Sequence, residues 1–495
     1  MFQNIMICLS ALMTLQNLLF MCAGTFFGIL VGAIPGLTGT MAVSLLVPLT
    51  YTMDPLSGIS MLCGIYNGAI YGGSISAILF RIPGTPAACA TIFDGYPMTK
   101  QGRGEAALEL AVSSSTFGGF FSVFMLLLIA PVLAKFALMF GPAEYFWVAV
   151  FGMSMLVSLS EGSMIKSLIS GMLGLFLSQV GMDPANGVSR FTFDSMYLMG
   201  GLELVPVLIG MFALPEVFTL LEKQITKNEY YHYASQEKVR LFGMFRTYWK
   251  THVRGAIIGT IVGIIPAAGG NIASFISYDQ AKRASKDPDS FGKGNPEGVV
   301  ASEVANNAIT GGSFVPLLTL GIPGSTTTAA IMGAFLIHGI NLGPQLFNKD
   351  PGLVYGLIWA LLLTNFIMCA LGFYGSKIFR RALMIPDSVL APLIVVFAVI
   401  GSYSINSNMF DVAMLISFGI FGYFCNKFHF PLTPIVLGLI LGPIMEANLL
   451  RALTISMGNV FYLFSSPFSM IIIALTVFSL GRAVYVKTKR QKSDQ

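Results

Sequence analysis

Charge is what this sequence has least of. Asp, Glu, Lys and Arg make up 10% of its 495 residues, whereas a soluble domain carries about 25% charged residues. A chain with so few charges has little surface to present to water, which argues against an ordinary soluble globular protein. The net charge of +5 is concentrated mainly in two segments, so it requires no nucleic-acid partner.

Motifs of common catalytic and metal sites are also missing. The chain has no G-x-x-x-x-G-K-[ST] phosphate loop, no H-E-x-x-H zinc motif and no G-x-S-x-G nucleophile elbow. Nothing resembles a repeated pore loop with acidic rings, which weakens a channel interpretation. The six cysteines form no C-x-x-C pair and lie in or beside apolar runs, as small buried hydrophobes do. We therefore expect neither an enzyme nor a cofactor-dependent protein.

Long apolar runs, in contrast, are abundant. Hydrophobic residues make up 55% of the chain, and the mean hydropathy is +0.76. At about 20 residues per crossing, we predict an all-α polytopic membrane protein with roughly 10–12 transmembrane helices. The first run has no basic n-region or convincing cleavage site, so a retained helix is expected rather than a signal peptide. The clearest runs are 5–31, 117–134, 200–221, 352–374, 383–400 and 466–481.

Basic residues divide the chain into four parts. They are dense in 222–254 and again after residue 481, and both segments are expected in the cytoplasm because Lys and Arg accumulate in cytoplasmic loops. The division predicts a first membrane repeat, a basic cytoplasmic linker, a second membrane repeat, and a final helix with a basic cytoplasmic tail. Their predicted bounds are 1–221, 222–254, 255–451 and 452–495.

The two membrane parts repeat the same pair of motifs in the same order. GILVGAIPGLTGTMA around Pro35 matches GTIVGIIPAAGGNIA around Pro266, with glycines in register. NGAIYGGSISAILFRIPGTPAA (67–88) matches NAITGGSFVPLLTLGIPGSTTTA (307–329), with one residue inserted before the second Ile-Pro-Gly. Two motifs recurring in order indicate an internal duplication.

Loop charges indicate that the second repeat is inverted in the membrane. The segment 50–57 has no Lys or Arg, whereas its counterpart 279–297 has four. After the Ile-Pro-Gly motifs the bias swaps, since 94–105 carries two basic residues and 338–352 carries one. Basic loops that change sides between repeats are expected of an inverted duplication.

Broken apolar segments at matching positions of inverted repeats point to a transporter's binding site. Pro and Gly leave backbone groups unpaired, which hydrocarbon tolerates only around a wet cavity or a ligand. Half-helix N-termini offer amide groups to an anion, and unwound carbonyls can coordinate a cation. Close helix packing is an even alternative for any single residue. The predicted substrate-binding residues are Asn67, Ser74, Arg81, Gly84, Thr85, Asn307, Ser313, Gly324, Ser325 and Thr326. The predicted ion-binding residues are Pro35, Gly39, Thr40, Pro266, Gly270 and Asn271.

Ionisable residues near the broken segments have competing interpretations. Arg81 either grips a substrate carboxylate or extends to the membrane interface, and both remain open. Glu203 is interpreted as a structural carboxyl near a helix end rather than a proton relay, and Glu303 as a residue of the loop before a helix. Interfacial caps are expected at Asp94 and His338, and linker positions at His232 and His252.

Four stretches together resemble the large membrane subunit of the tripartite tricarboxylate transporters, namely 32–40, 72–102, 264–288 and 297–344. The similarity runs from about residue 20 to about residue 450. It implies a multi-pass permease of the bacterial inner membrane that takes up tri- and dicarboxylates, citrate-like organic acids, by sodium or proton symport. It also implies two partners, a small membrane subunit and a periplasmic solute-binding protein.

Overall fold

The computed structural model describes residues 12–159, 163–183, 186–222, 246–266, 269–382 and 387–493. Within these ranges the chain forms 18 α-helices and a single antiparallel pair of two-residue strands. The prediction of an all-α fold is confirmed.

Eight of the described α-helices precede the basic segment. Their bounds are α1 Leu15–Ala33, α2 Gly39–Thr50, α3 Pro55–Phe80, α4 Ile92–Lys100, α5 Gly104–Ala137, α6 Pro142–Leu159, α7 Met164–Leu177 and α8 Leu204–Glu222. Short 3-10 helices occur at Pro86–Cys89 and Met196–Leu198, and the strands are β1 Gly181–Met182 and β2 Ser189–Arg190.

Ten α-helices follow it. Their bounds are α9 Trp249–Ile264, α10 Gly269–Ala284, α11 Pro296–Leu320, α12 Thr326–Ile337, α13 Leu346–Lys349, α14 Pro351–Ala382, α15 Asp387–Asn406, α16 Met409–Lys427, α17 Leu432–Ile455 and α18 Pro467–Ser493. Short 3-10 helices occur at Pro288–Ser290 and Val460–Phe464.

Eight of the described helices are long and apolar enough to cross a membrane by themselves. They are α1, α3, α5, α8, α14, α15, α16 and α17. Four more segments are apolar but shorter, Gly39–Thr50, Met164–Leu177, Thr326–Ile337 and Pro467–Gly481. The polytopic architecture is therefore confirmed, and the number of crossings stays a prediction.

The two halves break their helices with the same backbone geometry. Before the first proline of each half, Ile34 and Ile265 both have φ −79° and ψ 117°, an extended conformation that ends the helix. Before each Ile-Pro-Gly, Arg81 (φ 61°, ψ 18°) and Gly321 (φ 71°, ψ 21°) are both left-handed. The duplication extends from the sequence to the backbone, while its inversion in the membrane stays a prediction.

Helix packing is also duplicated. α1 packs on α3 and α9 packs on α11, in each case through glycines that let two backbones approach closely. A Cβ on Gly28 would lie 2.3 Å from the carbonyl oxygen of Ile65, and a Cβ on Gly259 would lie 2.3 Å from that of Ala305. α3 and α11 are buried along nearly their whole length and form the centre of the molecule.

The two halves interlock rather than stand apart. The half-helix α2, after the first proline break, packs against α12, after the second Ile-Pro-Gly. Reciprocally, α10 packs against the 3-10 helix Pro86–Cys89 that follows the first Ile-Pro-Gly. α7 packs on α17 and α8 on α16. Each kind of break is thus brought beside the other kind, from the other half.

The basic linker is described only near its ends. Residues 223–245 lie outside the described residues, and so does His232. The prediction that His252 belongs to this linker is wrong, because His252 lies inside α9 and is 3% exposed. Its Nε2 is 3.4 Å from Ser114 Oγ on α5.

Candidate functional site

A cavity of about 560 Å³ opens where the broken segments of the two halves meet. From the first half it is lined by Thr38, Gly39, Thr40, Tyr66, Ile70, Thr85, Pro86, Ala87, Met211, Phe212 and Glu216. From the second half it is lined by Gly269, Gly270, Asn271, Ile272, Ile309, Ser325, Thr326, Thr327, Asn426, Pro431, Leu432, Thr433 and Pro434.

Four α-helices, α2, α10, α12 and α17, begin at this cavity. α2 begins at Gly39 and its N-cap Thr38 accepts a hydrogen bond from the backbone N–H of Met41 at 3.2 Å. α12 begins at Thr326 behind a capping box, in which Ser325 and Thr328 each bond the other's backbone N–H. α10 begins at Gly269. Because first-turn amides carry partial positive charge, these ends favour an anion in the cavity.

Hydroxyl groups join the two halves across the cavity wall. Thr40 Oγ1 lies 2.8 Å from Thr326 Oγ1 and 3.0 Å from Thr327 Oγ1. The Tyr66 hydroxyl lies 3.2 Å from Ser313 Oγ and 3.2 Å from Ser325 Oγ. The α2–α12 contact is therefore polar at the site, although both helices are mostly apolar.

Seven predicted site residues line this cavity together. Of the predicted ion-binding residues, Gly39, Thr40, Gly270 and Asn271 do so. Of the predicted substrate-binding residues, Thr85, Ser325 and Thr326 do so. Residues from both kinds of break therefore line one cavity, although they are far apart in the sequence.

Other predicted residues stand behind the wall. Asn67 is fully buried, and its Nδ2 donates to Leu361 O at 3.2 Å and to Thr364 Oγ1 at 2.8 Å on α14. Ser313 reaches the cavity only through Tyr66. Ser74 and Asn307 are buried inside α3 and α11.

Gly84, Gly324, Pro35 and Pro266 shape the breaks and do not line the cavity. A Cβ on Gly84 would lie 2.0 Å from Gly32 O, and one on Gly324 would lie 2.6 Å from Ser313 Cα. Pro35 and Pro266 follow the residues at which α1 and α9 end. The two glycines let the returning chain pass directly over a helix backbone.

Arg81 lies outside the cavity in this structure. It is exposed at the C-cap of α3, and its guanidinium carbon is 5.9 Å from the centre of the Tyr96 ring. This placement corresponds to the surface alternative for Arg81, not to a clamp on substrate.

Charge on the described cavity lining comes from a single carboxylate. Glu216 on α8 lines the cavity, whereas no Lys, Arg or Asp is among the described lining residues. Sequence reasoning missed Glu216, Tyr66 and the start of α17. The available signal is a carboxylate well inside the apolar run 200–221, namely Glu216. Glu203, in the same run, is exposed just before α8.

Two further expectations for ionisable residues were wrong. Glu303 is not in a loop before a helix; it lies within α11 and is fully buried. Asp94 is not an interfacial cap but is fully buried, and its Oδ1 accepts backbone N–H groups of Gly292, Gly294 and Asn295 at 2.8–2.9 Å. His338 is the C-cap residue of α12, as expected.

Buried polar atoms without a hydrogen-bond partner cluster beside the cavity. They include both amide atoms of Asn306, Oδ1 of Asn67 and of Asn307, Oγ of Ser74 and Oγ1 of Thr85. Buried polar groups are normally paired, so these atoms are available to bond a ligand, an ion or water.

Comparison with known proteins identifies the family. The model of the tripartite tricarboxylate transporter TctA family matches residues 18–437. The chain belongs to the TctA family. It is 38% identical over 487 residues, 97% of this chain and 96% of the relative, to an uncharacterized 52.8 kDa protein in the TAR-I ttuC′ 3′ region of Agrobacterium vitis. It is 39% identical over 237 residues, 48% of this chain and 98% of the relative, to an uncharacterized protein in the TAR-II ttuC′ 3′ region of the same organism.

No solved structure matches this TctA-family chain. The matched region contains both breaks of each repeat and every residue of the described cavity lining, which ends at Pro434. The chain is therefore a membrane subunit of the tripartite tricarboxylate transporter type, and the cavity lies within the residues that the family model matches.

Proposed function

We propose that this chain is the permease subunit of a binding-protein-dependent secondary transporter that takes up tri- and dicarboxylates, citrate-like organic acids, by sodium or proton symport. The observation that carries the proposal is the cavity at which α2, α10 and α12 begin. Family membership supplies the transporter class, and the cavity supplies a place for the substrate.

The cavity suits a small polyanion in size and in chemistry. Its volume of about 560 Å³ falls in the range of about 300–1,000 Å³ that small-molecule sites occupy. First-turn amides of α12 and the hydroxyls of Ser325 and Thr326 offer donors for carboxylate oxygens. Recognition by amides and hydroxyls rather than by basic side chains leaves the anion free to depart, which a transporter needs.

The coupling ion is proposed to bind near the first break of each half, at Gly39–Thr40 and Gly270–Asn271. A bound cation there would offset both the substrate charge and the Glu216 carboxylate, which lines the same cavity. Cation and anion would then stabilise each other's binding, and this mutual dependence is what couples uptake to an ion gradient.

The interlocked breaks support alternating access. α2 contacts α12 and α10 contacts the 3-10 helix Pro86–Cys89, so the site is built at the boundary between the two repeats. Rocking of one substructure against the other would expose that boundary to each side of the membrane in turn. The proposed location is the bacterial inner membrane, and the proposed partners are a small membrane subunit and a periplasmic solute-binding protein.

The test is uptake of radiolabelled citrate and other organic acids into proteoliposomes that hold this chain and its small partner. The ion gradient is fixed, and the binding protein is added or omitted. We expect saturable uptake that requires both the gradient and the binding protein. The binding protein is needed because it is proposed to bind the outward-open conformation more tightly than the inward-open one, so that docking shifts the permease toward the conformation that receives substrate.

Two outcomes would contradict the proposal. Equally fast uptake at low substrate without the binding protein would remove the tripartite mechanism. Flux that neither saturates with substrate nor responds to any ion gradient would indicate a channel instead of a symporter.

A further inference from the structure

A carboxylate that the proposed substrate site does not use lies at the centre of the molecule. Glu303 is on α11, the helix that packs against α5, α9, α10 and α3, and its side chain is fully buried. It does not line the cavity. Burying a glutamate in the middle of a membrane protein costs free energy, so such a residue is a candidate for a functional role.

Hydroxyl groups hold this carboxylate, and no basic side chain in the described part of the chain is bonded to it. Thr91 donates to Glu303 Oε1, and Ser115 on α5 donates to Oε2 at 3.0 Å. Ser74 on α3 faces the same carboxylate without closing a hydrogen bond to it. None of the ion pairs in the described part of the chain involves Glu303.

A full negative charge in this position lacks compensation. Removing an unpaired carboxylate from water costs several kcal/mol, so such a group binds a proton or a cation whenever one can reach it. Two hydroxyl donors lower the cost of the ionised form without removing it. The site can therefore hold the carboxyl in its ionised form or in its protonated form.

The hydrogen bonds around Glu303 fit both forms. Thr91 has a single hydroxyl hydrogen but two acceptors, Glu303 Oε1 and Ser302 Oγ at 3.0 Å. Ser302 can accept because its own hydrogen faces the carbonyls of Gly298 and Val299. When Glu303 is ionised, Thr91 donates to it; when Glu303 is protonated, it donates to Thr91, which turns to Ser302. One hydroxyl rotation accommodates the proton with every hydrogen placed.

Unpaired polar atoms lie between this carboxylate's neighbours in the chain and the cavity lining. Asn306, one turn along α11, has no partner for either amide atom, and its Oδ1 lies 3.1 Å from the position of a Cβ on Gly270. On the other side, a Cβ on Gly73, next to Ser74, would lie 2.3 Å from Thr85 Oγ1, another unpaired atom. Gly270 and Thr85 both line the cavity.

Other titratable groups lie on the elements that pack against α11. Tyr71 is on α3, Asp94 on α4, Tyr278 on α10 and His252 on α9. Tyr278 donates to Asp94 at 2.7 Å, and Asp94 is held by backbone N–H groups, so that pair is already satisfied. His252 contacts Ser114, the neighbour of Ser115. Of the packed groups, Glu303 alone combines full burial with a carboxylate held only by hydroxyls.

We infer that the coupling ion is a proton and that Glu303, rather than the first break of each half, binds and releases it, an inference that rests on the proposed function. With the site open to the outside, the carboxylate takes one proton from water and forms an O–H bond. With the site open to the inside, that bond breaks and the proton returns to water. The proton thereby neutralises the charge that otherwise stays buried beside an incoming anion.

The test uses the complete complex in proteoliposomes with radiolabelled citrate. An inward proton gradient at equal sodium should drive accumulation by the unchanged protein. Glu303→Gln keeps the size and the hydrogen bonds of the neutral form but cannot release a proton. We expect it to lose gradient-driven accumulation at least tenfold while citrate exchange at equal pH persists. Glu203→Gln, an exposed position before α8, is the matched control and should keep the gradient response.

Ser115→Ala provides a second variant with less risk to folding. It removes one donor from the ionised carboxylate, so the proton is held to higher pH, and the midpoint of the pH dependence of uptake should move up. Ser113→Ala on the same helix, where the hydroxyl bonds only Leu110 O at 3.0 Å, is the control and should leave the midpoint unchanged.

The outcomes separate this inference from the proposed function. Glu303→Gln protein that still accumulates citrate in a proton gradient would overturn it. So would unchanged protein that responds to a sodium gradient at equal pH but not to a proton gradient, because the cation would then be sodium. If Glu303→Gln loses exchange as well, an unmoved midpoint in Ser115→Ala would overturn it. Accumulation under neither gradient would instead reject the proposed symport itself.

Discussion

The two Ile-Pro-Gly breaks share a sequence and a backbone geometry but lead to different structures. In the second repeat the break opens into the twelve-residue helix α12, which a complete capping box fixes. In the first repeat it opens into a four-residue 3-10 helix, and Thr85 makes no capping hydrogen bond. Ile322 is 3% exposed, whereas its counterpart Ile82 is 42% exposed.

The difference teaches that the duplicated motifs have separate tasks. α12 presents an ordered helix N-terminus to the cavity, which suits it to hold an anion. After the first break the Thr85 hydroxyl has no hydrogen-bond partner, and the residues at the break itself, Arg81 and Ile82, are exposed. The duplicated motifs give both halves the same backbone conformation at the break. The residues after each Ile-Pro-Gly determine whether a capped α-helix or a short 3-10 helix follows.

The largest effect expected concerns the orientation of the repeats. Loop charges predict that equivalent loops lie on opposite sides of the membrane. Thr52 and Lys286 are exposed residues of the two equivalent loops, so single cysteines at these positions are accessible. In a background without native cysteines, an impermeant thiol reagent added outside should label Thr52→Cys fully and Lys286→Cys only after the membrane is opened. Labelling of both from the same side would reject the inverted repeat.

The next effect concerns the close backbone approach at the two breaks. Gly84→Ala places a Cβ 2.0 Å from Gly32 O, a backbone atom that cannot move aside. We expect it to destabilise the protein by at least about 3 kcal/mol, the upper range for overpacking, and to abolish uptake. Gly324→Ala, with its nearest contact at 2.6 Å, should be severe but milder. Thermal unfolding in detergent measures both.

Gly200→Ala is the control for these variants. A Cβ on Gly200 meets no heavy atom within 4 Å, so its unfolding temperature should match that of the unchanged protein. If Gly84→Ala is as stable as Gly200→Ala, the close packing of the first break is not a requirement of the fold.

A moderate effect on KM is expected to distinguish a residue that lines the cavity from a residue that is buried behind the lining. Ser325→Ala removes a hydroxyl that lines the cavity. The loss of one hydrogen bond to substrate costs about 1 kcal/mol, so the apparent KM for substrate should rise about fivefold. Asn67→Ala removes two buried hydrogen bonds to α14, so it should lower stability by about 1–3 kcal/mol and change KM less than twofold. Initial uptake rates and thermal unfolding are measured on both variants.

The opposite pattern would be informative. An unchanged KM in Ser325→Ala would remove the α12 N-terminus from the substrate site. A large KM change in Asn67→Ala, with stability retained, would place Asn67 in contact with substrate during the transport cycle, as the sequence predicted.

The fold was predictable because its determinants are local. Apolar length predicts a spanning helix, and a recurring Gly-Pro pattern predicts a recurring break. Two motifs that recur in the same order indicate the duplication from the sequence alone. The interlocking of α2 with α12 was not predictable in this way, because it depends on how two distant segments meet.

The site was predictable only in part, for a physical reason. Small residues at a break either line a cavity or let backbones pack, and the sequence does not distinguish the two. Gly39 and Gly84 look alike in their motifs, yet one lines the cavity and the other crosses a helix. Glu303 was misplaced because polar residues surround it in ASEVANNA, a pattern typical of a loop, and its burial arises from packing by other helices.

The smallest effect expected concerns Arg81, which occupies the left-handed position that glycine takes in the second repeat. A left-handed conformation costs a non-glycine residue about 1–2 kcal/mol, and part of that is offset by the greater freedom of glycine in the unfolded chain. Arg81→Gly should therefore raise stability by about 0.5–1 kcal/mol, seen as a small rise in the unfolding temperature.

Arg81→Lys should leave KM within twofold, because the guanidinium contacts the Tyr96 ring outside the cavity. A carboxylate clamp requires the planar fork of arginine. A sharp rise of KM in Arg81→Lys would therefore place Arg81 on the substrate in another conformation of the transporter, and the two breaks would then both bind the anion.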